Sequence, residues 1–295
     1  MNGIINVFKE AGYTSHDVVA RLRRVFGMKR IGHTGTLDPA AQGVLPVCVG
    51  RSTVLSDIIS DGEKIYEAVL LLGVSTDTYD LEGRIIKEQE AAVTEDEAAS
   101  CIKGFIGEQD QIPPMYSAVK SGGKKLYELA RAGVEIERKP RRITVHDIII
   151  KDISLPRIRM EIRCSKGTYI RSLCHDIGEA LGCGGCMESL LRTQVGIFRL
   201  EDARKIGEIQ ALSDAGRIEE ILIAPDRFFY DCPEVRTKPE ADVLVHNGNR
   251  VHDHDLIFEE RIRETARMYD SGGAFIGLFV KDGDGLKPYK MLCDT

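Results

Sequence analysis

Long apolar runs are missing from this chain of 295 residues, and its first residues lack the pattern of an export signal. A membrane-spanning helix needs about 18 consecutive apolar residues, and an export signal needs a basic segment before an apolar one. Charge of one dominant sign is missing too, since 40 basic residues stand against 46 acidic ones. We therefore expect a soluble, cytoplasmic protein that does not bind nucleic acid through its overall charge.

Paired cysteine knuckles are also missing, although the chain has eight cysteines. Structural zinc sites typically combine two C-x2-C pairs, and only Cys183-Gly-Gly-Cys186 has this spacing. Its two glycines fit equally well a turn after a helix that ends near Leu181. A long chain without an export signal predicts reduced thiols, and Cys48 and Cys164 lie in apolar patterns typical of core strands. We expect no metal site.

Helical and strand patterns alternate through most of the chain. Ser15 is expected to cap a first helix that ends before Gly27. Thr94 opens a second helix with a capping box. Arg157–Cys164 alternates apolar and polar residues, which is typical of a half-buried strand, and a third helix is expected from Ile170. Both element types therefore contribute to the core.

The last part of the chain has a different pattern. Residues 226–295 carry 10 basic and 14 acidic residues. Asp242–His246 and Ala274–Val280 are short strand-like runs separated by glycine and asparagine turns. We predict a boundary near residues 222–240 and a small β-rich unit after it.

Positive charge is concentrated in one segment. Residues 114–142 carry 8 basic and 3 acidic residues, whereas residues 60–110 carry 4 and 13. Attraction of phosphate depends on the local field, so RNA binding stays open. The simpler explanation is that both runs are solvated surface.

The densest group of unusual residues surrounds Asp38. Glycines at 32 and 35 permit a tight backbone, Pro39 holds Asp38 in an extended conformation, and Val44–Val49 predicts a buried strand. A carboxylate on a rigid loop beside a core strand is typical of catalytic sites. A loop aspartate that merely caps a turn is a slightly simpler interpretation.

Gly32-His-Thr-Gly-Thr-Leu-Asp-Pro39, with Gly43-Val-Leu-Pro-Val47, resembles the signature loop of the TruB family of tRNA pseudouridine synthases. Four further segments resemble motifs of this family in the same order: Lys64–Tyr66, Pro113–Lys120, Lys166–Leu173 and Leu190–Thr193. The resemblance covers roughly residues 3–215 and is weaker beyond them. Gln42 and Ser52 depart from the family pattern, outside the residues assigned to chemistry.

This resemblance implies an α+β fold with a mixed, mainly antiparallel central sheet, flanking helices and a small β-rich, PUA-like C-terminal domain. It implies a catalytic domain at 1–225, with an RNA-clamping insertion at about 108–142, and an RNA-binding domain at 226–295. The implied enzyme isomerises uridine at position 55, in the T-arm loop of tRNA. It breaks the N-glycosidic bond and rejoins the flipped-out base through C5. Neither cofactor nor metal is expected, and the chain should act as a monomer without an obligate protein partner.

The resemblance also assigns roles. Asp38 matches the essential aspartate, which would attack C1′, attack C6 or remove a ribose proton. Arg171 would pair with it and keep it ionised, and Tyr66 would stack on the uracil. The substrate-binding residues implied are His33, Tyr169, Leu191, Lys64, Lys120, Lys124, Lys125, Arg141 and Arg142.

Three alternatives remain open. An aspartate-dependent hydrolase such as a retaining glycosidase needs a second carboxylate about 5 Å away, and residues 34–56 contain only one acid, Asp38. An RNA chaperone would use the same surface without chemistry. A guide-RNA-dependent relative would work inside a ribonucleoprotein, although the compact length favours the stand-alone type.

Overall fold

The computed structural model describes residues 1–259 and 262–292. Its strands are β1 (Gly3–Lys9), β2 (Ile31–His33), β3 (Gln42–Val49), β4 (Lys64–Leu72), β5 (Val74–Thr76), β6 (Ile85–Glu88), β7 (Gly107–Gln111), β8 (Lys120–Ser121), β9 (Lys124–Lys125), β10 (Arg141–Ser154), β11 (Arg157–Cys164), β12 (Gly185–Val195), β13 (Phe198–Arg199), β14 (Glu234–Thr237), β15 (Val251–His252), β16 (Leu256–Ile257), β17 (Thr265–Tyr269), β18 (Phe275–Asp282) and β19 (Gly285–Met291). Its α-helices are α1 (Ser15–Phe26), α2 (Ser56–Ser60), α3 (Glu95–Lys103), α4 (Leu126–Arg131), α5 (Ile170–Ala180), α6 (Ile206–Asp214) and α7 (Asp242–His246).

The main sheet has nine strands, seven of which follow the order β1-β3-β12-β4-β11-β10-β7. Its neighbours pair antiparallel except β3 and β12, which run parallel. β2 joins beside β3, and β13 pairs with the end of β12. The α+β class and the mainly antiparallel central sheet are therefore confirmed.

The helices begin at recognisable caps. Thr94 caps α3 with the predicted capping box. The cap of α1 is Thr14, with Asp17 completing the box, so the prediction of Ser15 was wrong by one residue. Thr14 takes the cap because Ser15 faces inward, where its hydroxyl meets the main chain of Leu37.

Two apolar clusters hold four of the helices on the main sheet. One packs α3 and α5 against β4, β10 and β11, and the other packs α1 and α6 against β1 and β3. The strand at Arg157–Cys164 is confirmed, with Ile158, Met160, Ile162 and Cys164 fully buried. The sheet and α5 together place the loops that carry the site.

The C-terminal part forms a second sheet of six strands in the order β15-β19-β18-β17-β14-β16, as expected of a small PUA-like domain. Asp242–His246 is helix α7, so the strand prediction there was wrong. Pro239 starts a helical turn before it and Asp242 stands in the first turn, where a negative charge favours a helix. No helix among residues 1–259 and 262–292 is long and apolar enough to cross a membrane.

Candidate active site and RNA-binding surface

The loop that carries Asp38 (residues 34–41, the Asp38 loop) is fastened by a buried lysine at the end of β1. The Lys9 side chain is fully buried, and its Nζ donates to the carbonyl oxygens of Pro39 at 3.0 Å and Ala41 at 2.7 Å. Burial lowers the pKa of Lys9 to about 8, and the nearby charge of Asp38 opposes this shift. Lys9 therefore fixes the backbone immediately after the aspartate.

Arg192 of β12 fastens the same loop from the other side. Arg192 is 1% exposed, and its guanidinium donates to the carbonyl oxygens of Val44 at 2.7 Å and Thr36 at 3.4 Å. The main chains of β3 and β12 touch here, since a Cβ on Gly43 would lie 2.2 Å from the Arg192 carbonyl oxygen. Gly43 has φ +108°, which a side chain would also strain.

Arg171, in the first turn of α5, meets Asp38 directly. Its Nη2 donates to Oδ1 of Asp38 at 3.0 Å, and its Nε lies 2.9 Å from Oδ2. The Arg171 side chain is 5% exposed and that of Asp38 is 34% exposed. The carboxylate thus remains open on one side while a buried guanidinium supports it from behind.

Three further oxygens surround the same guanidinium. Nη1 of Arg171 donates to the carbonyl of Thr78 at 3.1 Å and lies 3.3 Å from Oδ2 of Asp80. Nη2 also donates to the carbonyl of Tyr116 at 2.9 Å. Fork-like donors of this kind fix orientation as well as charge. Three segments that are distant in sequence, at Asp38, residues 78–80 and Tyr116, therefore converge on Arg171.

The electrostatics of Asp38 differ from the sequence-based expectation. Burial raises the pKa of the Asp38 carboxyl, the Arg171 guanidinium opposes that rise, and the neighbouring Asp80 adds to it. Because desolvation disfavours the charged form, the ionised carboxylate depends on the guanidinium for its stability. The expectation considered only the guanidinium and missed the opposing effect of burial.

The start of α5 is held by an amide side chain. Nε2 of Gln111 donates to the carbonyl of Tyr169 at 3.0 Å, and the Tyr169 amide donates to Oε1 of Gln111 at 2.8 Å. The Ser172 hydroxyl donates to the carbonyl of Ile112 at 3.0 Å. These bonds join the N-terminus of α5, and so Arg171, to the end of β7.

Two of the predicted pocket residues, Tyr66 and Tyr169, lie close enough to Asp38 for its charge to affect their pKa. Tyr66 is on β4 and only 6% exposed. Burial raises the pKa of Tyr66 to about 12, with Arg192 opposing, so the phenol is protonated at neutral pH. Tyr169 precedes α5 and Leu191 lies on β12, and both are partly exposed. Burial also raises the pKa of Tyr169, and Asp38 is among the charges that affect it.

His33 and Lys64 occupy different environments. His33 ends β2 and is partly exposed, and burial and the charge of Arg192 lower its pKa. Lys64 is buried, and its Nζ donates to the carbonyls of Ser60 at 2.8 Å and Gly62 at 2.7 Å. His33 is therefore neutral at neutral pH, whereas the ammonium of Lys64 is directed at main chain.

The predicted phosphate-binding residues lie outside the core. Lys120 and Lys124 are exposed on the β8–β9 hairpin (residues 120–125, the basic hairpin), and Lys125 packs against Tyr127. Arg141 and Arg142 are exposed at the start of β10. Arg142 already pairs with Glu108 at 3.0 Å and Asp110 at 3.7 Å.

Sequence reasoning missed four residues of the site: Lys9, Asp80, Gln111 and Arg192. Lys9 carried a usable signal, because it is a cation at the end of a mostly apolar strand. Arg192 lies within the motif at Leu190–Thr193, although the mixed polarity of its strand gave no further sign of its role. Asp80 lies in a segment rich in acidic residues, and Gln111 has no distinguishing neighbours. Their roles depend on distant contacts that no local pattern contains.

The cysteine pair takes the predicted turn. Cys183 follows the end of α5, Gly184 has φ +71°, and Cys186 lies in β12. Cys48 and Cys164 are buried in core strands, and the seven cysteines that the structure describes are free. Cys293 lies outside the described residues. Over residues 1–259 and 262–292, no group of three or more His, Cys, Asp or Glu side chains is placed to hold a metal ion.

The sequence and the fold of this chain are similar to those of known proteins. Residues 23–170 match the family described as TruB family pseudouridylate synthase (N terminal domain), and residues 171–224 match the tRNA pseudouridylate synthase B C-terminal domain. The chain is 48% identical to the tRNA pseudouridine synthase B of Lachnoclostridium phytofermentans, over 96% of each chain. It is 45% identical to the protein of that name from Clostridium perfringens strain 13, over 100% of both. A chain in a solved Cbf5-Nop10-Gar1 complex is 25% identical, with a TM-score of 0.76, and the match covers 98% of this chain and 84% of that one.

Proposed function

The chain belongs to the TruB family of pseudouridylate synthases, and from this premise we propose that it isomerises uridine 55 in the T-arm loop of tRNA. The observation that carries this proposal is the contact between Asp38 and Arg171 at 2.9 Å. It joins one open carboxylate to a buried cation, and the charge of this carboxylate reaches Tyr66 and Tyr169. Such a site can present a carboxylate to a nucleoside that has left its stack.

The reaction balances without an added reactant. The N1–C1′ bond breaks, the uracil turns, and C5 bonds to C1′. The proton on C5 leaves, and N1 takes up a proton. Asp38 acts by attack on C1′, by attack on C6 or by removal of a ribose proton, and each route requires the ionised carboxylate.

Arg171 maintains that ionised state. Burial raises the pKa of Asp38 and the guanidinium opposes this rise, so the pair provides an anion within a partly desolvated cleft. Tyr66 provides a neutral aromatic surface for the uracil, and Leu191 an apolar wall. A protonated phenol on Tyr66 adds no charge beside the carboxylate.

The basic hairpin and Arg141 supply the phosphate contacts. Their exposed cations suit a backbone that is recognised by shape and charge rather than by base edges. His33 supports the loop from which the base has been extruded, as a neutral ring. All these groups come from one chain, which supports a monomer that acts on one stem-loop. The full-length similarity to a protein named tRNA pseudouridine synthase B supports action on tRNA without a guide RNA.

A hydrolase is the second candidate, because Asp80 supplies the further carboxylate that such an enzyme needs. Asp80 is 8% exposed, and its Oδ1 accepts from the Thr78 hydroxyl at 2.5 Å and the Glu82 amide at 3.1 Å. Its other oxygen contacts Arg171 at 3.3 Å. Both oxygens are therefore occupied, which favours a supporting role for Asp80.

The test is incubation with an unmodified T-arm stem-loop labelled with tritium at uracil C5, without added nucleotide and with a chelator present. We expect release of the label and an RNA of unchanged length that contains pseudouridine. Free uracil with an abasic RNA would instead identify a hydrolase. A tightly bound but unchanged stem-loop would identify an RNA chaperone.

A further inference from the structure

Tyr79 has a backbone conformation that residues with a side chain rarely adopt. Its φ is +64°, and among the described residues no other non-glycine residue has a positive φ. An aromatic residue in this left-handed region is strained, and such strain persists only where the surroundings fix the conformation. The segment around Tyr79 is therefore held in place by its contacts.

The contacts act on both the main chain and the ring. The Tyr79 amide donates to the carbonyl of Thr76 at 3.3 Å, and its carbonyl accepts from the amide of Met187 at 2.9 Å. The ring stacks on that of His175, with centroids 4.0 Å apart and planes inclined by 8°. The strained residue is thus attached to α5 through its side chain.

The position of His175 gives this stack its significance. His175 follows Arg171 by four residues on α5, so both side chains lie on one side of the helix. Thr78 and Asp80, the immediate neighbours of Tyr79, supply the two oxygens that face Nη1 of Arg171. The stack therefore joins the helix that carries the guanidinium to the loop that orients it.

The state of the His175 ring suits a packing contact. Burial lowers the pKa of His175, the Arg138 charge adds to this shift and Glu179 opposes it, so the ring is neutral at neutral pH. Among the described residues, its Nδ1 has no hydrogen-bond partner. Its orientation therefore depends on stacking.

We propose that Tyr79 and His175 are positioning residues for the isomerisation. Their stack holds residues 78–80 so that the Thr78 carbonyl and the Asp80 carboxylate keep Arg171 against Asp38. This inference rests on the proposed function and adds two residues to it. Both act through Arg171 rather than on the uracil.

The experiment compares Tyr79→Ala and His175→Ala with their double variant and with the aromatic variants Tyr79→Phe and His175→Phe. For both alanine variants we expect kcat for tritium release to fall by about 10- to 100-fold, as is typical of a displaced catalytic group. KM and the Kd for the stem-loop should change less than about two-fold. The aromatic variants should keep most of the activity, and the double variant should lose no more than the worse single variant.

A pH profile separates positioning from mere stabilisation. Burial raises the pKa of Asp38, and a displaced guanidinium opposes this rise less well. The pKa of Asp38 should therefore be higher in the alanine variants, and the acid limb of kcat should move to higher pH. The other charges that face Asp38, those of Asp80 and Lys9, are the same in all variants. A purely stabilising stack would lower Tm and leave the acid limb in place.

Three results would overturn the role of the stack: an unchanged kcat in folded alanine variants, additive losses in the double variant, or an unmoved acid limb. Should Tyr79→Ala fail to fold, Tyr79→Gly, which adopts a positive φ without strain, replaces it beside His175→Ala. Wild-type chain that releases no label would overturn the proposed function itself. Wild-type turnover with a wild-type kcat for Tyr79→Ala would overturn only this inference.

Discussion

The Asp38 loop and the basic hairpin use positively charged side chains in opposite ways. At the loop, Lys9 and Arg192 are almost fully buried and donate to main-chain carbonyls. At the hairpin, Lys120 and Lys124 extend into solvent from two-residue strands. The charge is the same in both regions, but burial differs.

This difference suits the roles that we propose for the two regions. A reacting carboxylate must be held within a fraction of an ångström, and buried donors that satisfy fixed carbonyls achieve this. An RNA backbone varies in position, and flexible exposed ammonium groups can follow it. Substitutions at the loop should therefore affect kcat or stability, whereas those at the hairpin should affect RNA affinity.

Asp38→Asn should have the largest effect. The amide keeps the volume of the carboxylate but is neither nucleophile nor base, so we expect kcat to fall by about 10⁴-fold or more. Affinity for the stem-loop should hardly change. Tritium release and filter binding measure the two quantities, and appreciable turnover by the variant would contradict the assignment.

Arg171→Lys should come next, with a loss in kcat of about 10²- to 10³-fold. An ammonium cannot reach Asp38, Thr78 and Tyr116 together. The pKa of Asp38, already raised by burial, should rise further. Because the ionised form is active and is lost as pH falls through that pKa, the acid limb of kcat should move to higher pH. An acid limb that stays in place would separate Arg171 from the ionisation of Asp38.

Asp80→Asn should move the acid limb the other way. The Asp80 charge raises the pKa of Asp38, so its removal lowers that pKa and extends activity to lower pH. We expect kcat at neutral pH to fall only about ten-fold, because Arg171 keeps its other acceptors. Opposite shifts in Arg171→Lys and Asp80→Asn profiles would support the network, and equal shifts would refute it.

Lys9→Met should act mainly on stability. It leaves buried carbonyls unpaired, which should cost about 2–4 kcal/mol in urea unfolding at pH 7. The pKa of Lys9 is lowered from 10.5 to about 8, so the unfolded chain binds more protons between those values. Wild-type stability relative to the variant should therefore increase as pH rises through that window. Lys29→Met, at an exposed position, is the control, and an equal loss there would contradict the interpretation.

Reversal of hairpin charges should have the smallest effect on chemistry. Lys124→Glu with Lys125→Glu should weaken stem-loop binding about ten-fold and flatten its salt dependence, while kcat at saturating RNA stays the same. Arg142→Glu should change the salt slope less, because Arg142 already pairs with two carboxylates. An unaltered slope in the lysine variant would place the hairpin away from the RNA.

Periodic elements could be predicted from the sequence, and contacts that join distant segments could not. The capping box at Thr94 and the alternation in Arg157–Cys164 are local signals, and both were confirmed. The prediction of a strand at Asp242–His246 was wrong, because five residues carry too little periodicity to separate helix from strand. Its helical form depends on the preceding turn.

Residues of the candidate site could be predicted only where they lie in a motif that resembles the family. Asp38 and Arg171 lie in motifs that resemble the family, and the structure places them in contact. Asp80 and Gln111 reach the site through side chains whose partners are 91 and 58 residues away. The raised pKa of Asp38 could not be predicted from the sequence either, because burial is a property of the folded chain.

The contacts of Arg171 also determine how much of the chain must be synthesised before the site can form. Its partners come from residues 38, 78, 80 and 116, so the guanidinium is the last of them to leave the ribosome. Arg192, which fastens the Asp38 loop, leaves the ribosome later than Arg171. A chain under synthesis therefore exposes its aspartate without the supporting cation, and the centre is completed only when more than half of the protein has emerged.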